Sequence, residues 1–145
     1  LAVSAAFCRG MINFKCARPV KAIDKAVTVY HSMPHSMSDQ LRKPLVPGIF
    51  VDITSTTGIK EKMLSCHRSQ KDWLDVSQGS GSYVKDMLAK SEYVGKMSKR
   101  FTHAEGWIRH NPIGFCAPDA DPLAKSLAPG AFVNEDFEKN LKLEF

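Results

Sequence analysis

The chain has 145 residues, of which 43% are hydrophobic and 24% are charged, and these values are ordinary for one globular domain. Apolar runs all fall short of the roughly 20 residues that a membrane-spanning helix needs, which argues against a membrane partner. The formal net charge of +5 comes from scattered lysines and arginines, whereas nucleic-acid-binding surfaces cluster them, so no nucleic-acid partner is expected.

Apolar residues at helical spacing alternate along the chain with short runs of strand-forming residues. Helices are predicted at residues 1–14, from about residue 57 through residue 73, from residue 82 to about residue 100 and, as one short turn, at 122–127. Strands are predicted at 26–30, 49–54 and within 101–110, with a Gly and Ser loop at 76–82 and a tail at 128–145. This alternation predicts an α/β fold, Rossmann-like, with a mainly parallel sheet flanked by helices.

The helix that begins near residue 57 has one apolar face. Ile59, Met63, Cys66 and Trp73 are spaced by four, three and seven residues, so they share that face, and we expect it to pack on the sheet. Three strands make a poor independent sheet, which suggests that further strands come from outside the chain.

Four segments together resemble one enzyme family. They are YHSMPH at 30–35, PGIFVDIT at 47–54, KEKMLSCHRSQKDWLD at 60–75 and HAEGWIRH at 103–110. Their order is similar to the second half of the PIG-L or LmbE-like deacetylases, zinc-dependent enzymes that remove the acetyl group of N-acetylglucosaminyl and related amino-sugar compounds. The resemblance covers residues 26–127, and it implies that the chain shapes the pocket for a small amino-sugar substrate.

The metal motif of that family is missing from the sequence. Neither a His-Pro-Asp-Asp run nor a later His or Asp followed by His is present, and the chain begins with Leu1. We therefore expect a single partial domain, the C-terminal half of such an enzyme, with no tightly bound zinc of its own. It would form a homo-oligomer or pair with the missing N-terminal half. The alternative is a non-catalytic interaction or structural module that lacks the metal site.

The sequence around the first predicted strand offers three candidate substrate-binding residues, Tyr30, His31 and His35. Two histidines four residues apart are typical of zinc enzymes when they lie on a helix, but Pro34 disfavours a helix here. His31 and His35 more plausibly follow the end of a strand, where open α/β sheets bind ligands, or are exposed imidazoles of a loop. Tyr30 could donate a hydrogen bond to an acetyl oxygen, or it could be a buried tyrosine with a structural partner.

The last predicted strand carries four further candidates on one face by alternation, namely His103, Glu105, Trp107 and Arg109. A carboxylate can accept hydrogen bonds from sugar hydroxyls while the indole of Trp107 stacks on the ring. The competing interpretation is a structural ion pair between Glu105 and Arg109.

The four cysteines are far apart and contain no CxxC pair, so they do not indicate a disulfide framework. The sequence also shows no secretion signal at its start. Both observations favour a reducing compartment, and we expect the protein to be cytoplasmic.

Overall fold

The computed structural model describes residues 1–79 and 82–141. The helices are α1 (Ala2–Cys8), α2 (Thr57–Ser65), α3 (Arg68–Gln78), α4 (Ser82–Ser98), α5 (Pro122–Leu127) and α6 (Glu135–Asn140). The strands are β1 (Tyr30–Ser32), β2 (Ile49–Asp52), β3 (Ala104–Arg109) and β4 (Ala131–Val133).

The four strands form one open sheet in the order β1-β3-β2-β4, and each neighbouring pair is antiparallel. The predicted mainly parallel, Rossmann-like sheet is therefore wrong. A parallel sheet needs a crossover between neighbouring strands, usually one helix per connection. Here α2, α3 and α4 all lie in the single connection between β2 and β3, and β1 reaches β2 through residues 33–48 without a helix.

The core forms where α4 packs on the centre of the sheet. Phe50 of β2, Val94 of α4 and Ala104 of β3 are 1%, 4% and 1% exposed and make one hydrophobic cluster. Phe132 of β4 stacks on Phe50 with the ring centroids 6.0 Å apart. Apolar burial of this kind fixes the position of β3 relative to α4, the two elements that later border the pocket.

A buried serine ends α4 and turns the chain toward β3. The Ser98 hydroxyl donates to the Gly95 carbonyl at 2.6 Å and accepts from the backbone N–H groups of Arg100 and Phe101 at 3.1 and 3.0 Å. Lys99, which lies between Ser98 and Arg100, adopts a positive φ of 56°, and this conformation ends the helix. The chain then returns so closely that a Cβ on Gly95 would lie 2.4 Å from the Thr102 carbonyl oxygen.

The predicted helix from residue 57 through residue 73 is divided at His67, whose φ and ψ of −80° and 65° are not helical. The apolar face predicted to pack on the sheet does not do so. Ile59, Met63 and Trp73 are 60%, 66% and 62% exposed, and Cys66 is exposed as well. Because the break turns α3 relative to α2, Leu64 and Leu74, both half-buried, face the pocket instead.

Residues 128–141 are not a tail in the structure. β4 pairs with β2, and the Asn134 amide caps α6 by accepting from the Phe137 N–H at 3.3 Å while donating to the Pro47 carbonyl at 3.2 Å. Three strand residues after Pro129 and Gly130 are too short a pattern to detect in a sequence. Residues 142–145 of the predicted tail, and residues 80 and 81 of the predicted Gly and Ser loop, lie outside the described residues.

The helices of the described ranges are short or polar relative to the dimensions of a bilayer. None of them combines the length and apolarity that crossing a membrane requires.

Candidate functional site

A cavity of about 500 Å³ opens beside β3, between the sheet edge and helices α2, α3 and α4. It exists because β1 is short. β1 pairs with Trp107, Ile108 and Arg109, so residues 104–106 have no neighbouring strand on that side within the described part of the chain. After a single backbone bond from the Met33 N–H to the Gly106 carbonyl at 3.2 Å, the chain leaves the sheet and becomes a wall of the cavity.

Apolar side chains make most of the cavity surface. They come from the segment after β1, from the three helices and from β3, and they include Met33, Pro34, Met37, Leu64, Leu74, Met87, Val94 and Trp107. Gly106 lets this wall approach the strand, because a Cβ there would lie 2.8 Å from the Met33 Cγ. Size and apolar lining both match sites that take small organic ligands.

Glu105 and Lys60 form an ion pair at one side of the cavity. The Lys60 Nζ lies 2.6 Å from the Glu105 Oε1, and the two side chains are 33% and 36% exposed. The pair joins α2 to β3. It leaves the other carboxylate oxygen of Glu105 available to a ligand hydroxyl, since Lys60 contacts Oε1.

A second charged group, formed by His35, Asp86 and Lys90, lies at the same cavity. The Lys90 Nζ is 2.6 Å from the Asp86 Oδ2 and 2.9 Å from each ring nitrogen of His35. The hydrogen bond from Lys90 holds the pKa of the Asp86 carboxyl below its usual value, against the opposing effect of partial burial. Asp86 is therefore a stable anion at neutral pH.

The cavity brings together three of the seven residues predicted from the sequence, namely His35, Glu105 and Trp107. Glu105 and Trp107 are two residues apart on β3 and therefore share a face of the strand, as predicted. Glu105 pairs with Lys60 and Arg109 pairs with Glu138, because four residues along a strand separate Glu105 from Arg109 by about 13 Å. The competing ion-pair interpretation is therefore wrong.

Tyr30 and Arg109 have structural partners on α5 and α6. The Tyr30 hydroxyl donates to the Asp121 Oδ1 at 2.7 Å and accepts from the Leu123 N–H at 3.1 Å. Burial, with the bond to Asp121, raises the pKa of Tyr30 to about 12. The Arg109 Nη2 lies 3.0 Å from the Glu138 Oε2. These contacts hold the C-terminal helices to the sheet.

His31 and His103 also lie apart from the cavity lining. The His31 Nε2 is 2.9 Å from the Nδ1 of His110, a residue that the sequence does not single out. His103 precedes β3, and its backbone bonds to Thr54 on the chain after β2. Its buried Nδ1 has no hydrogen-bond partner among the described residues.

Lys60, Asp86 and Lys90 border the cavity, although the sequence does not mark them as candidates. A lysine on an amphipathic helix normally indicates a solvated face, and the sequence around Lys90 favours that interpretation. The spacing of Asp86 and Lys90, four residues apart on α4, predicts a helix pair but contains no signal that the pair borders a cavity.

The donor side chains do not assemble a metal centre of the hydrolytic kind. Across residues 1–79 and 82–141, no group of three or more His, Cys, Asp or Glu side chains is arranged to hold a metal ion. A hydrolytic zinc site takes three protein ligands and keeps an open position. The described residues therefore do not fit such a centre.

Comparison of the chain with protein-family models, curated proteins and solved structures gives no match. The resemblance to the deacetylases accordingly stays a prediction from sequence segments.

Proposed function

We propose that this chain is the substrate-binding part of a hydrolase that removes the acetyl group of an N-acetylglucosaminyl or related amino-sugar compound. The observation that supports the proposal is the juxtaposition of Trp107, Glu105 and Lys60 at a cavity of about 500 Å³. That volume lies in the range that small-molecule sites occupy, and the cavity has few polar groups on an apolar surface.

The three side chains supply complementary contacts to a sugar. The indole of Trp107 offers an apolar face to the C–H side of a pyranose ring, and Glu105 accepts from a hydroxyl. The Lys60 ammonium donates to a hydroxyl or to the acetyl carbonyl oxygen. Met33 and Met87 give an adaptable apolar surface for the acetyl methyl or the aglycone.

Hydrolysis of the acetamide requires chemistry that the described residues do not assemble. In this proposal the metal ligands and the general base come from a separate segment or chain that joins the pocket. We expect residues 1–145 to bind the sugar without releasing acetate, even with added Zn²⁺. Acetate release by the chain alone would contradict this division of roles.

Tryptophan fluorescence tests sugar binding directly, because the chain contains two tryptophans. Trp73 is 62% exposed on α3, so Trp73→Phe leaves Trp107 as the reporter with little effect on folding. Titration of this variant with methyl N-acetylglucosaminide should give a saturable change in emission. Methyl glucosaminide, which lacks the acetyl group, should bind more weakly.

Glu105→Gln in the same background tests the assigned role of the carboxylate. Loss of a charged hydrogen-bond partner should weaken binding by about 1 to 3 kcal/mol, or roughly 5-fold to 150-fold. Glu61→Gln is the matched control, since Glu61 is the exposed neighbour of Lys60 on α2 and lies outside this cavity. Equal affinities for the two variants would remove Glu105 from the site.

A non-catalytic interaction module is the second candidate, and the exposed apolar residues of α2 and α3 favour it. Ile59, Met63, Trp73 and Val76 are between 60% and 90% exposed, which is unusual for so many large apolar side chains on two helices. Light scattering coupled to gel filtration tests this candidate. A concentration-dependent mass that Met63→Lys abolishes would support it, and a monomer that binds the sugar would not.

A further inference from the structure

We propose that His31 and His110 form a binding site for a first-row transition-metal ion such as Zn²⁺, which ties β1 to β3. The His31 Nε2 and the His110 Nδ1 lie 2.9 Å apart. His31 pairs with Ile108 in the sheet register, and His110 follows Ile108 by two residues directly after β3, so both imidazoles lie on the same face of the sheet. The site is distinct from the sugar pocket proposed above.

The distance between the nitrogens suits a bridging cation. Neutral imidazole is a good ligand for zinc, copper and nickel, and two ring nitrogens at 2.9 Å can share one proton that a metal would replace. With Zn–N bonds of about 2.0–2.1 Å in tetrahedral geometry, two ligand nitrogens are roughly 3.3 Å apart. The two nitrogens therefore need to separate by about half an ångström, and the rings need to rotate so that both lone pairs point at the ion, with water completing the coordination.

His110 is already held in position by its surroundings. Its ring meets the edge of Phe115 with the centroids 5.2 Å apart, and its backbone N–H donates to the Val29 carbonyl at 2.9 Å. His31 is exposed, so an ion reaches the pair from solvent. A fixed ligand beside an exposed one confines most of the reorganisation to the His31 ring.

Metal binding here would act on the pocket through the chain that follows β1. Residues 33–37 leave the strand directly after His31 and Ser32, and Met33, His35 and Met37 line the cavity. An ion held by His31 and His110 would therefore restrain the wall of the cavity as well as the strand. This effect needs no sugar, so the metal site is testable even if the sugar proposal fails.

The test is a Zn²⁺ titration of residues 1–145, followed by nuclear magnetic resonance of the imidazole groups. One equivalent should perturb the signals of His31 and His110. His31→Ala and His110→Phe should each lower the affinity by more than about 100-fold, because losing an outer-shell partner alone costs roughly 10-fold to 100-fold. His110→Phe keeps an aromatic ring against Phe115, and circular dichroism checks that it folds.

His35→Ala and His67→Ala are the controls, because each removes an exposed imidazole that does not belong to the His31–His110 pair. Both should bind Zn²⁺ like the wild type. An affinity loss in His35→Ala as large as that in His31→Ala would overturn the proposal, as would unchanged binding by His31→Ala. Since His31 is exposed on a short strand, its variant decides the matter even if His110→Phe does not fold.

Discussion

Gly106 sits in β3 where the wall of the pocket approaches the strand. A Cβ at this position would lie 2.5 Å from the Pro47 Cγ and 2.8 Å from the Met33 Cγ. The Met33 side chain can move toward the cavity, but Pro47 is rigid and fully buried. Gly106→Ala therefore forces the strand away from Pro47.

The expected cost follows from these contacts. Overpacking by one methyl in a tight site costs about 1 to 3 kcal/mol, while the lower chain entropy of alanine in the unfolded state returns about 0.5 to 1 kcal/mol. We expect a net loss of about 1 to 2 kcal/mol in the free energy of unfolding. For a chain of this size, the urea midpoint should fall by roughly 0.5 to 1 M.

Gly58→Ala is the matched control for this substitution. A Cβ on Gly58 of α2 meets nothing within 4 Å, so the same change there should leave stability equal or raise it by up to about 1 kcal/mol. Urea unfolding followed by far-ultraviolet circular dichroism measures both variants. If Gly106→Ala proves as stable as Gly58→Ala, the close approach of Pro47 to β3 is incorrect.

Two further predictions concern the residues that hold α5 and α6. Arg109→Met leaves Glu138 unpaired at a site where both side chains are about one-fifth exposed, so stability should fall by about 1 to 3 kcal/mol with sugar affinity unchanged. Lys96→Met, which breaks an exposed helix pair, should leave the urea midpoint close to that of the wild type in the same assay. The pKa of Tyr30 is about 12 in the folded protein and 10.0 in the unfolded chain, so the unfolded chain loses the proton first and the free energy of unfolding should fall as the pH rises between these values. That fall should be smaller in Tyr30→Phe. The control Tyr93→Phe alters an exposed ring and should behave like the wild type.

Local sequence signals identify several elements but not the direction of the strands. The short helix predicted at residues 122–127 forms as α5 with those bounds, because Asp121 caps it and Pro122 suits its first turn. The strand predicted at 49–54 forms as Ile49–Asp52. Periodicity reports which residues are buried, whereas pairing depends on contacts distant in sequence, so a sequence pattern cannot place β3 between β1 and β2.

Helical spacing also misidentifies what covers the sheet. Ile59 and Met63 share a face by spacing, yet α4 occupies the centre of the sheet through Val94, and the break at His67 leaves the predicted face in solvent. A spacing pattern cannot choose between two amphipathic helices that compete for one sheet surface.

The candidate sites depend on the same structural feature, the shortness of β1. Because β1 ends at Ser32, the chain leaves β3 early enough to open the cavity beside Glu105, and it still pairs long enough to bring His31 next to His110. Extending the pairing by two residues would fill the space beside Glu105 with backbone and close the pocket. A metal held by the two histidines would strengthen the pairing of β1 with β3 without lengthening it.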